Sequence, residues 1–325
     1  MNWEHKICVA PMMDYTDRHC RFFHRLISPN AFLYTEMINA NAVVNGDTKK
    51  LLSFDLFENP VGLQLGGSDP TMLAKASKIG SRMGYKEINL NCGCPSPRVV
   101  AGKFGASLME QPDLVADCIK SMLDSTDIEV TIKHRIGVDK NTGYGFVSKF
   151  VEKTFDAGCK IFIVHARNAL LNLSPKKNRE VPPIKIDYVR RLKKDFPSCS
   201  FIANGGLDSV ESCLNIIEKK DKSKDLPPVD GVMIGRAVIK KPKFLQNLEK
   251  KIYPNSKFKV KNTEEIIKEL QLYFDHQQKL GEKKTNITKQ WHGLFSSSSG
   301  AKKWRKSLSE GMSPVEAYES IFYLL

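Results

Sequence analysis

Short apolar runs alternate with amphipathic stretches along most of the chain, and that alternation restricts the fold more than any single motif. Strand signals fall at 6–12, 33–37, 61–65, 87–91, 129–134, 161–165, 200–204 and 230–235. Several are rich in Val and Ile, as strands covered on both faces of a parallel sheet require. Helical spacing fills the intervals, at 70–83, 112–123, 144–157, 186–196 and 209–219. Eight strand–helix alternations within roughly 245 residues match a (β/α)8 TIM barrel, which typically takes about 250. An open doubly wound sheet is the alternative α/β arrangement.

In a barrel the C-terminal ends of all strands meet at one mouth, where barrel active sites are built. The polar and special residues of this chain fall at those ends. They are Ala10-Pro11-Met12, Glu36, Gln64, Asn91 with Cys94, Lys133 with Arg135, His165 with Arg167, Asn204-Gly205-Gly206, and Gly235-Arg236. Gly93 and Pro95 break the strand on either side of Cys94 and aim its thiol away from the core. Nucleophile, acid, metal ligand and inert thiol all remain open for it; with an ordinary pKa of about 8.5 it would be mostly protonated, so it could donate a proton. Lys133 ends an alternating run, Val130-Thr131-Ile132, and points into the mouth. With Gln64 and His165 it would ring one planar ligand with donors, as a flavin mononucleotide requires. The two glycine turns at the seventh and eighth strands suit a phosphate group, with Arg236 adding charge-assisted hydrogen bonds. Either turn alone would equally serve a plain tight bend.

The barrel pattern stops after Arg236. A last barrel helix, 242–252, leads into a linker at 253–261, and a second domain spans 262–325. Asn262 with Glu265 forms a capping-box start. Ile266, Ile267, Leu270, Tyr273, Phe274 and Leu280 follow at helical spacing, and Gly281 supplies the stop. Further helices are expected at 287–294, 301–308 and 314–325, with Ser296–Gly300 as a flexible joint. The expectation is therefore a catalytic barrel over 1–252 followed by a small helical bundle.

The formal charge of +14 over 325 residues points to an acidic partner, nucleic acid or anionic membrane. A generally lysine-rich proteome would give the same bias. No stretch approaches the roughly 20 apolar residues that cross a bilayer, and the first residues lack a signal-peptide pattern. Eight scattered cysteines fit a reducing cytoplasm. Cys92 and Cys94 have no second pair at zinc-like spacing, so no metal site is expected. One basic cluster, Ser174-Pro175-Lys176-Lys177-Asn178-Arg179, would overhang the mouth. Another, Lys302-Lys303-Trp304-Arg305-Lys306, lies in the tail, where residues 261–310 carry ten Lys or Arg against six Asp or Glu. Such a face suits RNA phosphates, with Trp304 as a neighbouring aromatic; a solvated helix with Trp304 packed inward is the alternative.

Together these motifs resemble the tRNA-dihydrouridine synthases, nearest their A subfamily. The resemblance is carried by Val9-Ala10-Pro11-Met12, Tyr34-Thr35-Glu36-Met37, Gln64-Leu65-Gly66-Gly67, Asn89-Leu90-Asn91-Cys92-Gly93-Cys94-Pro95-Ser96, Lys133-His134-Arg135, His165-Ala166-Arg167, Asn204-Gly205-Gly206 and Gly235-Arg236. It implies a (β/α)8 barrel that binds FMN and a C-terminal helical domain that holds tRNA. FMN contacts would fall on Pro11, Met12, Met13, Gln64, Lys133, His165, Asn204, Gly205, Gly206, Gly235 and Arg236. Cys94 would be the proton donor, and Asn91, Lys176, Arg179, Lys302 and Arg305 would touch tRNA. The implied substrate is D-loop uridine at positions 20 and 20a, near the tRNA elbow, with NADPH reducing the flavin. No membrane partner and no obligate protein partner are expected, and the protein is expected to be a cytoplasmic monomer.

The family pattern is broken at His134, usually Thr, at Cys92, often Val, at the Ser-rich joint, and at Lys302, which replaces Arg. Two other readings share some of these features. A small-molecule FMN oxidoreductase of the dihydroorotate-dehydrogenase type would use the barrel without a basic tail. A nonredox RNA-binding barrel would use the charge without the flavin.

Overall fold

In a computed structural model, which describes residues 5–324, nine strands form one parallel sheet. The reading of the N-terminal residues and the end of the last expected helix lie partly outside those residues. The strands are β1 (Ile7–Val9), β2 (Leu33–Tyr34), β3 (Ile38–Asn39), β4 (Val61–Gly66), β5 (Glu87–Cys92), β6 (Glu129–Arg135), β7 (Ile161–His165), β8 (Ser200–Asn204) and β9 (Gly231–Ile234). Pairing runs from β1 through β9, β8, β7, β6, β5 and β4 to β2. A parallel bridge between Cys8 and Phe32 closes the ring, with the Val9 N–H donating to the Phe32 carbonyl at 2.9 Å. The result is the expected (β/α)8 barrel.

The expected strand at 33–37 is split. Tyr34 pairs with Gly62 and Ile38 with Leu65, so four steps along one strand match three along the other. The extra residue is a bulge: the Thr35 N–H still donates to the Gly62 carbonyl at 3.0 Å, while Glu36 and Met37 leave the ladder and Glu36 reaches the mouth.

Helices Pro70–Arg82, Pro112–Leu123, Tyr144–Asp156, Ile186–Asp195 and Val210–Glu218 fill the crossovers, within a residue or so of the apolar spacing. Proline stands in the first turn of Pro70–Arg82, Pro112–Leu123 and Pro242–Ile252, where its missing N–H costs no hydrogen bond. The space inside the barrel is shared unevenly. Cys8, Phe32, Tyr34, Ile163, Ile202 and Met233 form an apolar cluster there. Glu87, Asn89, Thr131 and Gln64 are equally buried, and they are polar.

The tail opens as expected. Asn262 and Glu265 form a reciprocal capping box at the start of helix Thr263–Lys279. Beyond Gly281 the helices are shorter than the apolar spacing suggests. The second one covers Lys284–Thr288 only. From there to Ser298 the backbone runs in three-residue turns, such as Trp291 N–H to Thr288 carbonyl and Leu294 N–H to Trp291 carbonyl. Gly293 explains the departure: a Cβ there would stand 2.3 Å from the Ile239 carbonyl of the barrel, so close docking replaces a regular helix. The Ser-rich joint is part of this ordered run, with the Ser299 hydroxyl donating to the Leu324 carbonyl. Helix Ala301–Ser309 follows, then the last α-helix, Pro314–Glu319, and a 3-10 turn at Phe322–Leu324 in place of the single helix expected over 314–325.

The tail is seated on helix Arg18–Ile27 and on the loop after β1. Tyr273 stacks on Phe22, with ring centroids 3.8 Å apart, and its hydroxyl lies 2.8 Å from His19 Nδ1. Lys289 pairs with Asp17 at 2.9 Å, Arg18 pairs with Glu282, and Gln290 Nε2 donates to the Asp14 carbonyl at 2.8 Å. The buried Trp291 and Trp304 join one core continuous with the barrel helices. Among the described residues no helix is long and apolar enough to cross a membrane.

Candidate active site

The strand ends surround a cavity of about 2070 Å³ at the mouth. Its wall includes every residue expected to contact a flavin, from Pro11, Met12 and Met13 on the first loop to Gly235 and Arg236 on the last. Cys94, Asn91 and Arg179 line the same cavity. Lys176 is exposed beside it, and Pro175 of the same loop reaches the wall. Lys302 and Arg305 are exposed on helix Ala301–Ser309 and lie outside the cavity wall. Trp304, between them, is fully buried, and its indole N–H donates to the Trp291 carbonyl at 3.1 Å. The tail therefore offers a basic face without the aromatic that the sequence placed beside it.

Cys94 sits on a turn held from three sides. Its own N–H and that of Gly93 donate to Asn91 Oδ1, at 3.0 and 3.1 Å. Arg135 Nε donates to the Gly93 carbonyl at 3.1 Å, and the Ala106 N–H to the Cys94 carbonyl at 2.9 Å. The other seven cysteines are buried; Cys94 alone is half-exposed. Cys92 faces the helices from β5, and burial pushes its thiol well above the ordinary range. Cys92, at the end of β5, thus packs under the helices while Cys94, on the turn beyond the strand, lines the cavity, and no group of His, Cys, Asp or Glu among the described residues could hold a metal.

Lys133 leaves β6 toward the cavity and donates to Asn204 Oδ1 at 3.0 Å. Burial, and then the Arg135 guanidinium, push its ammonium down to about 7. His165 is held well below its usual value, first by burial and then by Arg135 and Lys133, so it is a neutral imidazole. Gly205 and Gly206 have φ of +110° and +70°, and a Cβ on Gly205 would meet the His165 ring at 2.8 Å. Only glycine satisfies both demands at this turn.

The guanidiniums of Arg167 and Arg179 are both lowered by burial and by the nearby Arg236. None of the three has a carboxylate within ion-pair distance among the described residues. Arg179 Nε is buried without a hydrogen-bond partner. Like charges gathered without counter-charge are a site for an anion. The glycine shelf, the arginine cluster and the unpartnered Nε fit a planar ligand with a phosphate tail.

Several residues that shape the site carry weak sequence signals. Asn178, inside the basic loop, is fully buried and donates to the Leu170 and Leu173 carbonyls at 2.7 and 2.9 Å. Arg135 Nη1 reaches the Asn178 carbonyl and so ties this loop to the Cys94 turn. Glu36 accepts from the Asp14 N–H at the rim, with its carboxyl pushed up by burial. A polar residue at every second place of an apolar strand, as in Glu87, Asn89 and Asn91, is the one pattern that could have disclosed the interior network.

A family profile described as dihydrouridine synthase (Dus) matches residues 8–322. The chain is 46% identical over 307 residues to a protein named tRNA-dihydrouridine(20/20a) synthase from Xanthomonas campestris pv. campestris, covering 94% of this chain and 88% of that one. Proteins of the same name from Synechocystis sp. and Yersinia pestis are 45% and 44% identical, over 94% of this chain and 88% and 86% of theirs.

Proposed function

The chain belongs to the dihydrouridine synthase family, and on that premise we propose the reaction and the part each residue takes in it. The enzyme is a flavin-dependent oxidoreductase that reduces uridine in tRNA to 5,6-dihydrouridine. We assign FMN as the flavin, NADPH as its reductant, and D-loop uridines 20 and 20a as the targets. The half-exposed Cys94 thiol, facing the same cavity as the donor ring and the arginine cluster, carries this reading.

Saturating C5=C6 of a uracil ring requires a hydride at one carbon and a proton at the other. When bound, flavin would supply the hydride equivalent, at C6. Cys94 gives its proton to C5. Gln64, Lys133, His165 and Asn204 would face the planar ring system of the flavin, while Gly205, Gly206, Gly235 and Arg236 would hold its phosphate. Asn91 and Arg179, beside Cys94, orient the base. The base must leave its stack to enter, at a cost of a few kcal/mol. Lys176 on the loop after β7, and Lys302 and Arg305 on the tail, offset that cost by holding the RNA backbone. We divide the chain accordingly into a barrel over 1–252, a linker over 253–261 and a tRNA-holding helical domain over 262–325. We expect a monomer that works in the cytoplasm, in keeping with eight unpaired thiols.

The test is dihydrouridine mapping in tRNA from a strain lacking this gene, with and without the gene restored. Return of dihydrouridine at 20 and 20a supports the assignment. No return at any position, with a soluble flavin-bearing protein present, overturns it.

A further inference from the structure

A line of buried polar side chains crosses the barrel from its N-terminal end to the Cys94 turn. The Gly93 and Cys94 N–H groups donate to Asn91 Oδ1. Asn91 Nδ2 donates to Gln64 Oε1 at 2.8 Å, and Gln64 Nε2 to Asn89 Oδ1 at 2.7 Å. Asn89 Nδ2 donates to Thr131 Oγ1 at 2.7 Å, and the Thr131 hydroxyl to Glu87 Oε1 at 2.6 Å. His5 Nε2 closes the line, 2.6 Å from Glu87 Oε2. Burial alone would push the His5 imidazole down; the Glu87 carboxylate instead takes it above its ordinary value.

Every bond from the Cys94 turn to Glu87 points the same way. Backbone N–H groups can only donate, so Asn91 must accept on Oδ1, each amide beyond it is fixed in turn, and the chain ends with the Thr131 hydroxyl donating to the Glu87 carboxyl. None of the three amides between them can flip without breaking the bonds on both of its sides. With Asn91 Oδ1 already accepting two N–H groups and one Nδ2 hydrogen given to Gln64, the donor that Asn91 has left to offer is the second hydrogen of Nδ2. Such a chain is mutually polarised, and its side chains from Asn91 to Glu87 are all buried.

We propose that Glu87 is a positioning residue: from the far end of the barrel its carboxyl is the acceptor on which the chain ends, and so it holds the Cys94 turn and the donor faces of Asn91 and Gln64. This rests on Cys94 being the group that protonates the substrate. Glu87 itself touches neither the cavity nor the turn.

The experiment uses the purified full-length protein and three variants, Glu87→Gln, Thr131→Val and Thr131→Ser. Thr131→Val keeps the shape of the side chain and the His5–Glu87 pair but removes the link. The first readout is the iodoacetamide alkylation rate of Cys94, followed by peptide mass spectrometry at a temperature where each variant is folded. The second is the flavin absorbance spectrum. Thr131→Val is expected to raise the alkylation rate about 3- to 10-fold, as loss of one net hydrogen bond in the chain implies, and to shift the spectrum; Glu87→Gln, whose amide oxygen still accepts from Thr131 but without the charge, is expected to move both readouts the same way by less. Thr131→Ser is expected to restore both. If Glu87→Gln does not fold, Thr131→Val and Thr131→Ser decide the matter. Wild-type alkylation and spectra in a folded Thr131→Val, even with a lowered melting temperature, would reduce the line to a core network and overturn the proposal. Neither readout needs tRNA, so a failure of the wild-type protein to reduce uridine would sink the functional reading alone.

Discussion

At the scale of single residues, the two thiols of the Cys-x-Cys are the sharpest contrast. Cys94 faces the cavity and Cys92 the helices. Cys94→Ala should leave flavin bound and slow single-turnover uridine reduction by about 10²–10⁴, the usual loss for a general acid. Cys92→Ala removes a buried sulfur and should lower the melting temperature while the rate per folded enzyme stays near wild type; equal rate losses in the two variants would show that the turn has been misassigned. Lys133 gives a pH prediction. Its folded value, about 7, lies below the unfolded one of about 10.4. Between those values the unfolded chain binds the extra proton, so the flavin-free protein gains stability as pH rises through that window. His165, also depressed, makes stability fall further below about pH 6.5. Melting temperatures from pH 6 to 10 check this, and Lys133→Met should abolish the rise above pH 7.

At the scale of elements, β5 joins fold and chemistry. One face, Ile88, Leu90 and Cys92, packs on helices, and the other, Glu87, Asn89 and Asn91, carries the interior hydrogen bonds. Its sequence shows the strand and the turn. It does not show where the polar face leads, because the partners Gln64 and Thr131 stand on neighbouring strands. Helix Ala301–Ser309 makes the opposite lesson. Basic residues around a Trp read as an RNA face with a stacking ring, but Trp304 is spent on the core, where its ring meets Phe295 at 4.9 Å. What remains is charge alone. Lys302→Ala with Arg305→Ala should therefore weaken tRNA binding and lower the slope of log affinity against log salt by roughly 1–2, about 0.7–0.9 for each phosphate left without its cation. Titration at several salt concentrations measures it, and an unchanged slope would remove this helix from the binding surface.

For the whole molecule, the consequence is in the seam between barrel and tail. The loop after β1 carries Met12 and Met13 into the cavity wall. Its other side is held by the tail, through Lys289 to Asp17 and Gln290 to the Asp14 carbonyl, and the helix that follows it is held through Trp291 Nε1 to the His19 carbonyl. The segment that would hold tRNA thus also braces the segment that would hold flavin. Trp291→Ala should cost about 3–5 kcal/mol of stability, as large-to-small core changes do, and should weaken flavin binding although Trp291 lies outside the cavity wall. Denaturant unfolding and flavin titration would test the pair; lost stability with unchanged flavin affinity would mean that the loop holds its shape without the tail.

Periodicity, strand-end chemistry and charge are local properties, and these determined the barrel, the ring of residues around its mouth and the basic balance of the chain. Each can be read from residues close together in the chain. Tertiary structure decided what depends on distant neighbours. It broke the strand at Glu36 with a bulge, replaced a helix by turns where Gly293 meets the barrel, turned Trp304 inward, and ran a polar line from His5 to Cys94 through β4, β5 and β6. The physical reason is the same in each case: burial must be satisfied by whichever partner the fold brings within reach, and a hydrogen bond or a packing contact between residues tens of positions apart leaves no spacing in the sequence from which to predict it.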